Sequence, residues 1–154
     1  MIDLQNTSRR IVMIAVNKKP ESKKVIQLYL DNMCDKDHDL VYLCHIYKAP
    51  SLSTYPLSSL KSIPWQKWEK KLSQRINEIN TFMNEYQCMC DVKRVPSLVY
   101  ITYGKRKKGL LELSKILKAS MIFMGKKRGF FSKFFGGLPV GVAHNCRIPI
   151  TIVV

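Results

Sequence analysis

Ala119-Ser-Met121-Ile-Phe-Met124-Gly125-Lys-Lys-Arg128-Gly129 opens the stretch that decides the fold. Met121–Met124 is a short apolar run of the kind shown by a strand buried on both faces. Phe130-Phe131-Ser-Lys-Phe134-Phe135 follows, then Gly136-Gly137 and Leu138-Pro139. Proline suits a first helical turn, where its missing N–H costs nothing. The chain closes on Ile148-Pro-Ile-Thr-Ile-Val-Val154, which is strongly β-forming. The order is strand, glycine-bearing basic loop, helix start, strand. Such a loop turns free backbone N–H groups and the positive end of a helix dipole toward one point, which suits a phosphate.

Working outward, Arg10–Val16 reads as a buried first strand and Leu40–Ile46 as a second, with Asp35–Asp39 as a polar turn before it. Between the strands, Val25, Ile26, Tyr29, Leu30 and Met33 recur at helical spacing. Residues 48–64 hold Pro50, Pro56 and Pro64 and are too broken for regular structure. Trp65, Trp68, Leu72, Ile76, Ile79, Met83 and Tyr86 step by three or four, the clearest amphipathic helix in the chain, with core packing as the expected role of the stripe. Leu98–Tyr103 is a third strand ending at Gly104, and a helix carrying Leu110, Leu113, Ile116 and Leu117 follows. Pro139–Asn145 is a short last helix and Ile148–Val154 a fifth strand. Strands alternating with helices predict an α/β fold, one domain over 1–154 with an open parallel sheet.

Composition narrows the function. The net charge is +15; residues 101–154 hold eleven Lys/Arg against the single acid Glu112. That asymmetry predicts an anionic ligand or partner. No apolar run approaches the roughly 20 residues of a membrane span, and Met1–Asn6 lacks the marks of a signal peptide. The expectation is a soluble cytoplasmic protein. Five cysteines without any C-x-x-C pair predict reduced thiols and no zinc site; Cys34 and Cys44, inside apolar patterns, read as buried. Gly-x-Ser-x-Gly, His-Glu-x-x-His and the Lys-Ser/Thr ending of a P-loop are all missing from the sequence. His45 reads as packed at a strand end, and His144 has no nearby acid to orient it. The chain is therefore expected to bind rather than to catalyse.

Several signatures together resemble the universal stress protein family. Ile14-Ala-Val-Asn17, with Ser22 opening a helix, is similar to the family's first strand and turn; Leu43-Cys-His45-Ile46 resembles its second strand. Ala119–Gly125 resembles its fourth strand and Ile148–Val153 its last. The resemblance implies a five-stranded parallel sheet in the order 3-2-1-4-5 with helices on both faces. It also implies ATP or another adenine nucleotide at the carboxyl edge near strands 1 and 4. Carried onto this chain, the nucleotide-contacting positions are Ala15, Asn17, Ile46, Gly104, Met124, Gly125, Arg128, Gly129, Gly137 and Leu138. The family pattern is Gly-x-x-Gly, a spacer, then Gly-Ser or Gly-Thr. Here three residues separate Gly125 from Gly129, the loop to Gly137 is one residue short overall, and Leu138 replaces the hydroxyl. Asn17 stands where the family has an aspartate, and Lys105 where an acid follows Gly104.

The changes at Asn17 and Lys105 both favour positive charge. Strand direction is expected to bring Lys18, Lys19, Lys48, Lys105, Arg106, Lys107, Lys108, Lys126, Lys127 and Arg128 to one rim. A degenerate nucleotide site follows as the first expectation; its rivals are a surface for nucleic acid or acidic partners and a dimerising interaction protein that has lost nucleotide binding. The alternating, uncharged last strand predicts a homodimer through 148–154, because an exposed apolar edge invites pairing with its own copy.

Overall fold

The computed structural model describes residues 9–50, 65–126 and 137–154. The elements are β1 (Arg10–Ala15), α1 (Pro20–Asn32), β2 (Asp39–Tyr47), α2 (Trp65–Val92), β3 (Ser97–Tyr103), α3 (Arg106–Ile116), β4 (Met121–Gly125), α4 (Leu138–Ala143) and β5 (Ile150–Val153). All strand pairs are parallel, and the sheet order is β3-β2-β1-β4-β5. The 3-2-1-4-5 architecture is therefore the one adopted.

β1 is central and dry: Val12, Met13 and Ile14 are fully buried. Strand alternation sends its side chains into two different cores. Val12, Ile14 and Val16 meet α1 and α2 on one face, around Tyr29, Met83, Tyr86 and Phe123. Met13, with Cys44, Ile46, Ile122 and Met124, meets Leu110 and Leu113 of α3 and Val142 of α4 on the other. A strand covered on both sides needs apolar residues at every position, which is why the run reads as continuous rather than alternating.

Five local readings differ from the sequence expectation. The stripe on α2 enters the core only from Ile79 onward; Trp65 is 57% exposed and Ile76 37%. Helical spacing records which residues share a face, and not which turns of that face are covered. Ile116, at the end of α3, is likewise 76% exposed. Asp39, read as part of a polar turn, is the first residue of β2 and fully buried. Cys34 is half-buried, while Cys44 and Cys90 are buried; all five thiols are unpaired. Pro149 sits just ahead of β5, where its carbonyl accepts from the Ile122 N–H at 3.0 Å.

Candidate functional site

At the carboxyl edge of the sheet β1 leads into α1 on one face while β4 leads toward α4 on the other. Their ends diverge, leaving the crevice that open parallel sheets form where strand order reverses. Here it is a cleft of about 320 Å³. Ala15, Val16 and Asn17 continue β1 along its floor beside Met124 and Gly125 of β4; Ile46 of β2 and Leu110 of α3 give it apolar walls. Gly137, Leu138 and Pro139 close one side. Three cations from separate segments line it: Lys19 before α1, Arg106 at the start of α3, and Lys126 after β4.

The turn between β1 and α1 is held by its own side chains. Asn17 Oδ1 accepts the Lys19 N–H at 2.8 Å and lies 3.3 Å from the Ser22 hydroxyl, while Ser22 Oγ accepts the Asn17 N–H at 2.8 Å. Tyr86 of α2 donates its hydroxyl to the Asn17 carbonyl at 2.6 Å. The amide oxygen at position 17 thus shapes the loop, and Asn17 Nδ2 is the group left to donate.

His45 donates Nδ1–H to the Val16 carbonyl at 2.7 Å, so its Nε2 is the acceptor. Burial holds it below the ordinary imidazole value; the guanidiniums of Arg106 and Arg75 add to that effect and the Val16 carbonyl opposes it. Its ring stands edge-on to Phe82, 5.0 Å away. Burial pushes the Cys44 thiol, also on the wall, up to about 12. That thiol is no nucleophile near neutral pH.

The starts of α1, α3 and α4 at this edge all lack side-chain caps. α3 begins Arg106-Lys107-Lys108 behind Lys105, with no acid in its first turn. Cations there oppose the helix dipole and leave the first N–H groups without an anion. α1 also lacks a side-chain cap but carries Glu21 in its first turn. Glu21 lines the cleft, and its Oε2 is buried without a hydrogen-bond partner among the described residues.

Of the positions carried over from the family pattern, Ala15, Asn17, Ile46, Met124, Gly125, Gly137 and Leu138 come together on the cleft wall. Gly104 does not. It ends β3, beyond β2, where its N–H bonds the Tyr47 carbonyl at 2.9 Å and its φ of 136° turns the chain. Arg128 and Gly129 lie outside the described residues, as do Lys127, Gly136 and the phenylalanines of that loop. The ten-cation rim is also less uniform than expected. Lys107 lies along α4, where a Cβ on Gly141 would stand 3.6 Å from its Cδ. Lys108 faces Glu112 at 3.7 Å and Lys18 faces Glu78 at 3.7 Å, both in exposed pairs. Sequence reasoning missed two groups: Glu21 on the cleft wall, and Arg75 of α2, whose guanidinium adds to the depression of His45. An acid one turn after a strand was the available signal for the first; nothing local marked the second.

A doubly wound parallel sheet with a basic cleft at its switch point is the class defined by this geometry. The universal stress protein family profile matches residues 8–154, and the chain belongs to that family. No curated protein matches it in sequence. Among solved structures it is similar to the universal stress protein UspA from Lactobacillus plantarum, with 11% identity, 97% of this chain and 100% of that one covered, and a TM-score of 0.73. It is also similar to a universal stress protein from Archaeoglobus fulgidus in complex with dAMP (11% identity, 96% and 99% covered, TM-score 0.65). A third is an Arabidopsis thaliana family protein with AMP bound (12% identity, 94% and 90% covered, TM-score 0.61). At these identities the likeness concerns the fold.

Proposed function

We propose that the cleft binds an adenine nucleotide or a closely related phosphate compound, and that the protein works by binding it rather than by catalysis. The observation that carries this reading is the convergence of Lys19, Arg106 and Lys126, from three segments, on an apolar-walled cleft at the switch point. Relatives of the same fold hold AMP and dAMP. The uncapped, cationic start of α3 is a site whose charge an anion would balance. Glu21 Oε2 is an unused acceptor for a ligand hydroxyl or amino group. The missing hydroxyl at Leu138 costs one charge-assisted hydrogen bond, about 1.5–3 kcal/mol, which weakens a site without abolishing it.

Thermal unfolding with ATP, ADP, AMP and cyclic nucleotides, at two salt concentrations and with and without Mg²⁺, tests the reading. Ligand at about a hundred times its Kd adds about 2.7 kcal/mol. For a chain of this size that is a rise in Tm of roughly 5–10 °C. The expected rise is saturable, differs between nucleotides and changes little with Mg²⁺, since Glu21 is the single carboxylate among the described wall residues. No rise at millimolar nucleotide overturns the proposal. An equal rise for every polyanion, lost at high salt, transfers it to a nucleic-acid surface.

The protein is further proposed to be a cytoplasmic homodimer. Unpaired thiols at all five cysteines fit a reducing compartment, and no helix among the described residues is long and apolar enough to cross a membrane. β5 lies at the sheet edge. The carbonyls of Pro149 and Val153 accept from Ile122 and Lys126 on the β4 side, so by strand alternation the N–H groups of Ile150 and Ile152 face the free edge. Ile152→Pro removes one such donor and leaves the β4 ladder intact. Sedimentation should then show the chain mass where the parent shows twice that mass. An undiminished dimer sinks the strand-pairing model.

A further inference from the structure

The cleft does not end at His45. A second lobe of about 190 Å³ lies between the β1–α1 turn and α2, and Asn17, Lys19, His45 and Arg106 line both spaces. Lys126 belongs to the first lobe alone; Arg75 and Lys18 belong to the second alone. A single phosphate therefore does not meet Lys126 and Arg75 together. Between them His45 offers Nε2 as an acceptor, and Phe82 and Tyr47 make the second lobe partly aromatic.

Arg75 is the cation this lobe leaves over. Glu78 also lines the lobe but faces Lys18 at 3.7 Å, and Arg75 pairs with no carboxylate among the described residues. A guanidinium presents a rigid fork that matches two phosphate oxygens. Arg106 and His45 line both lobes and Arg75 lines the second, so both guanidiniums stand on the spaces that meet at His45.

We propose that the second lobe is a second anion subsite, so that the whole site takes a nucleoside bearing phosphate at two separate positions. One phosphate lies against Lys19, Arg106 and Lys126, and the other against Arg75, with the nucleoside bridging past His45. This rests on reading the cleft as a nucleotide site and adds the class of nucleotide.

Titration calorimetry on the full chain separates the two claims. The ligands are AMP, ADP and adenosine 3′,5′-bisphosphate; ADP adds charge at one centre only. The bisphosphate is expected to bind about tenfold more tightly than AMP, about 1.4 kcal/mol, with ADP close to AMP. Arg75→Gln, at an exposed helix position, should reduce that advantage to less than about twofold while leaving AMP affinity within about twofold. If AMP binds but the bisphosphate has no advantage, if ADP matches it, or if the advantage survives Arg75→Gln, the second subsite is overturned and the cleft reading stands. If none of the three binds, both are overturned.

Discussion

Asp39→Ala is expected to destabilise the protein by about 2–4 kcal/mol, a large share of the roughly 5–15 kcal/mol that holds a domain folded. The fully buried carboxylate accepts from Arg10 Nε at 2.6 Å, Arg10 Nη2 at 2.7 Å, the Tyr29 hydroxyl at 2.6 Å and the Asp35 N–H at 2.9 Å. Arg10 is partly exposed and regains water when its partner is removed, so the ion pair itself is the smaller share. The larger share is the fully buried Tyr29, whose hydroxyl keeps only the weakly accepting Cys34 sulfur, whereas the N–H of the exposed Asp35 regains water. An unsatisfied buried donor costs about 1–3 kcal/mol each. Tyr29→Phe removes donor and demand together and should cost less than half as much.

The same group sets the acid limb of stability. Desolvation works to raise the Asp39 carboxyl, but the bonds from Arg10, Tyr29 and Asp35 outweigh it and hold it below the usual carboxylate range. A group depressed on folding contributes its full stabilisation above its unfolded value, near 4. That contribution is lost as pH falls through the folded value. Urea unfolding from pH 7 downward should therefore show the parent losing stability below about pH 4, with Asp39→Ala losing less over that limb, where the Asp35 carboxyl, held low by His38, still titrates. An Asp39→Ala protein within 1 kcal/mol of the parent at pH 7 would show that the network is incidental.

Gly125→Ala is the second large effect, with an expected loss of about 1–3 kcal/mol. A Cβ there would stand 3.0 Å from Glu21 Cβ, 3.1 Å from the Glu21 carbonyl oxygen and 3.1 Å from Val25 Cγ2. Two of those three atoms move only with the α1 backbone, so the helix must shift off β4. Gly125→Val should be worse. Gly104 contrasts with it: nothing lies within 4 Å of its Cβ position, and what an L-residue meets there is a φ of 136°. Replacement at 104 strains the chain without moving a neighbour. Thermal melts of Gly125→Ala and Gly104→Ala, alone and combined, should show additive losses, since the two sites share no neighbour. A Gly125→Ala protein as stable as the parent removes the close-packing account. The result also bears on ligand studies. Gly125 is a packing glycine at the cleft, so a bulkier residue there reports on α1 docking as well as on binding.

The sheet order was legible because each strand is a short apolar run between polar turns, and the spacing of those runs matched one family throughout. Asp39 was not legible. A single acid in Asp35-Lys-Asp-His-Asp39 looks solvated until the fold brings Arg10 and Tyr29 to it from other segments. The cleft floor followed from strand ends, which are local, whereas Arg75 reaches the cleft from the middle of a helix whose docking angle no local pattern encodes. Helical spacing likewise named Trp65 and Ile116 as core residues without saying which turns of that face are covered.

β1 is the first strand on the chain and the middle strand of the sheet. Its partner on one side is β2, but on the other it is β4, with Val12 opposite Met121, more than a hundred residues later. During synthesis the β1–α1–β2 unit and β3 emerge first, and one long side of β1 stays open until the last quarter of the chain arrives. Contacts this distant in sequence slow folding, and an unpaired central strand exposes backbone to other chains while it waits. The cleft spans that same late seam. A nascent chain stopped before Met121 has every residue of the cleft's β1 floor and no binding site, so ligand competence reports that the final strand pairing has closed.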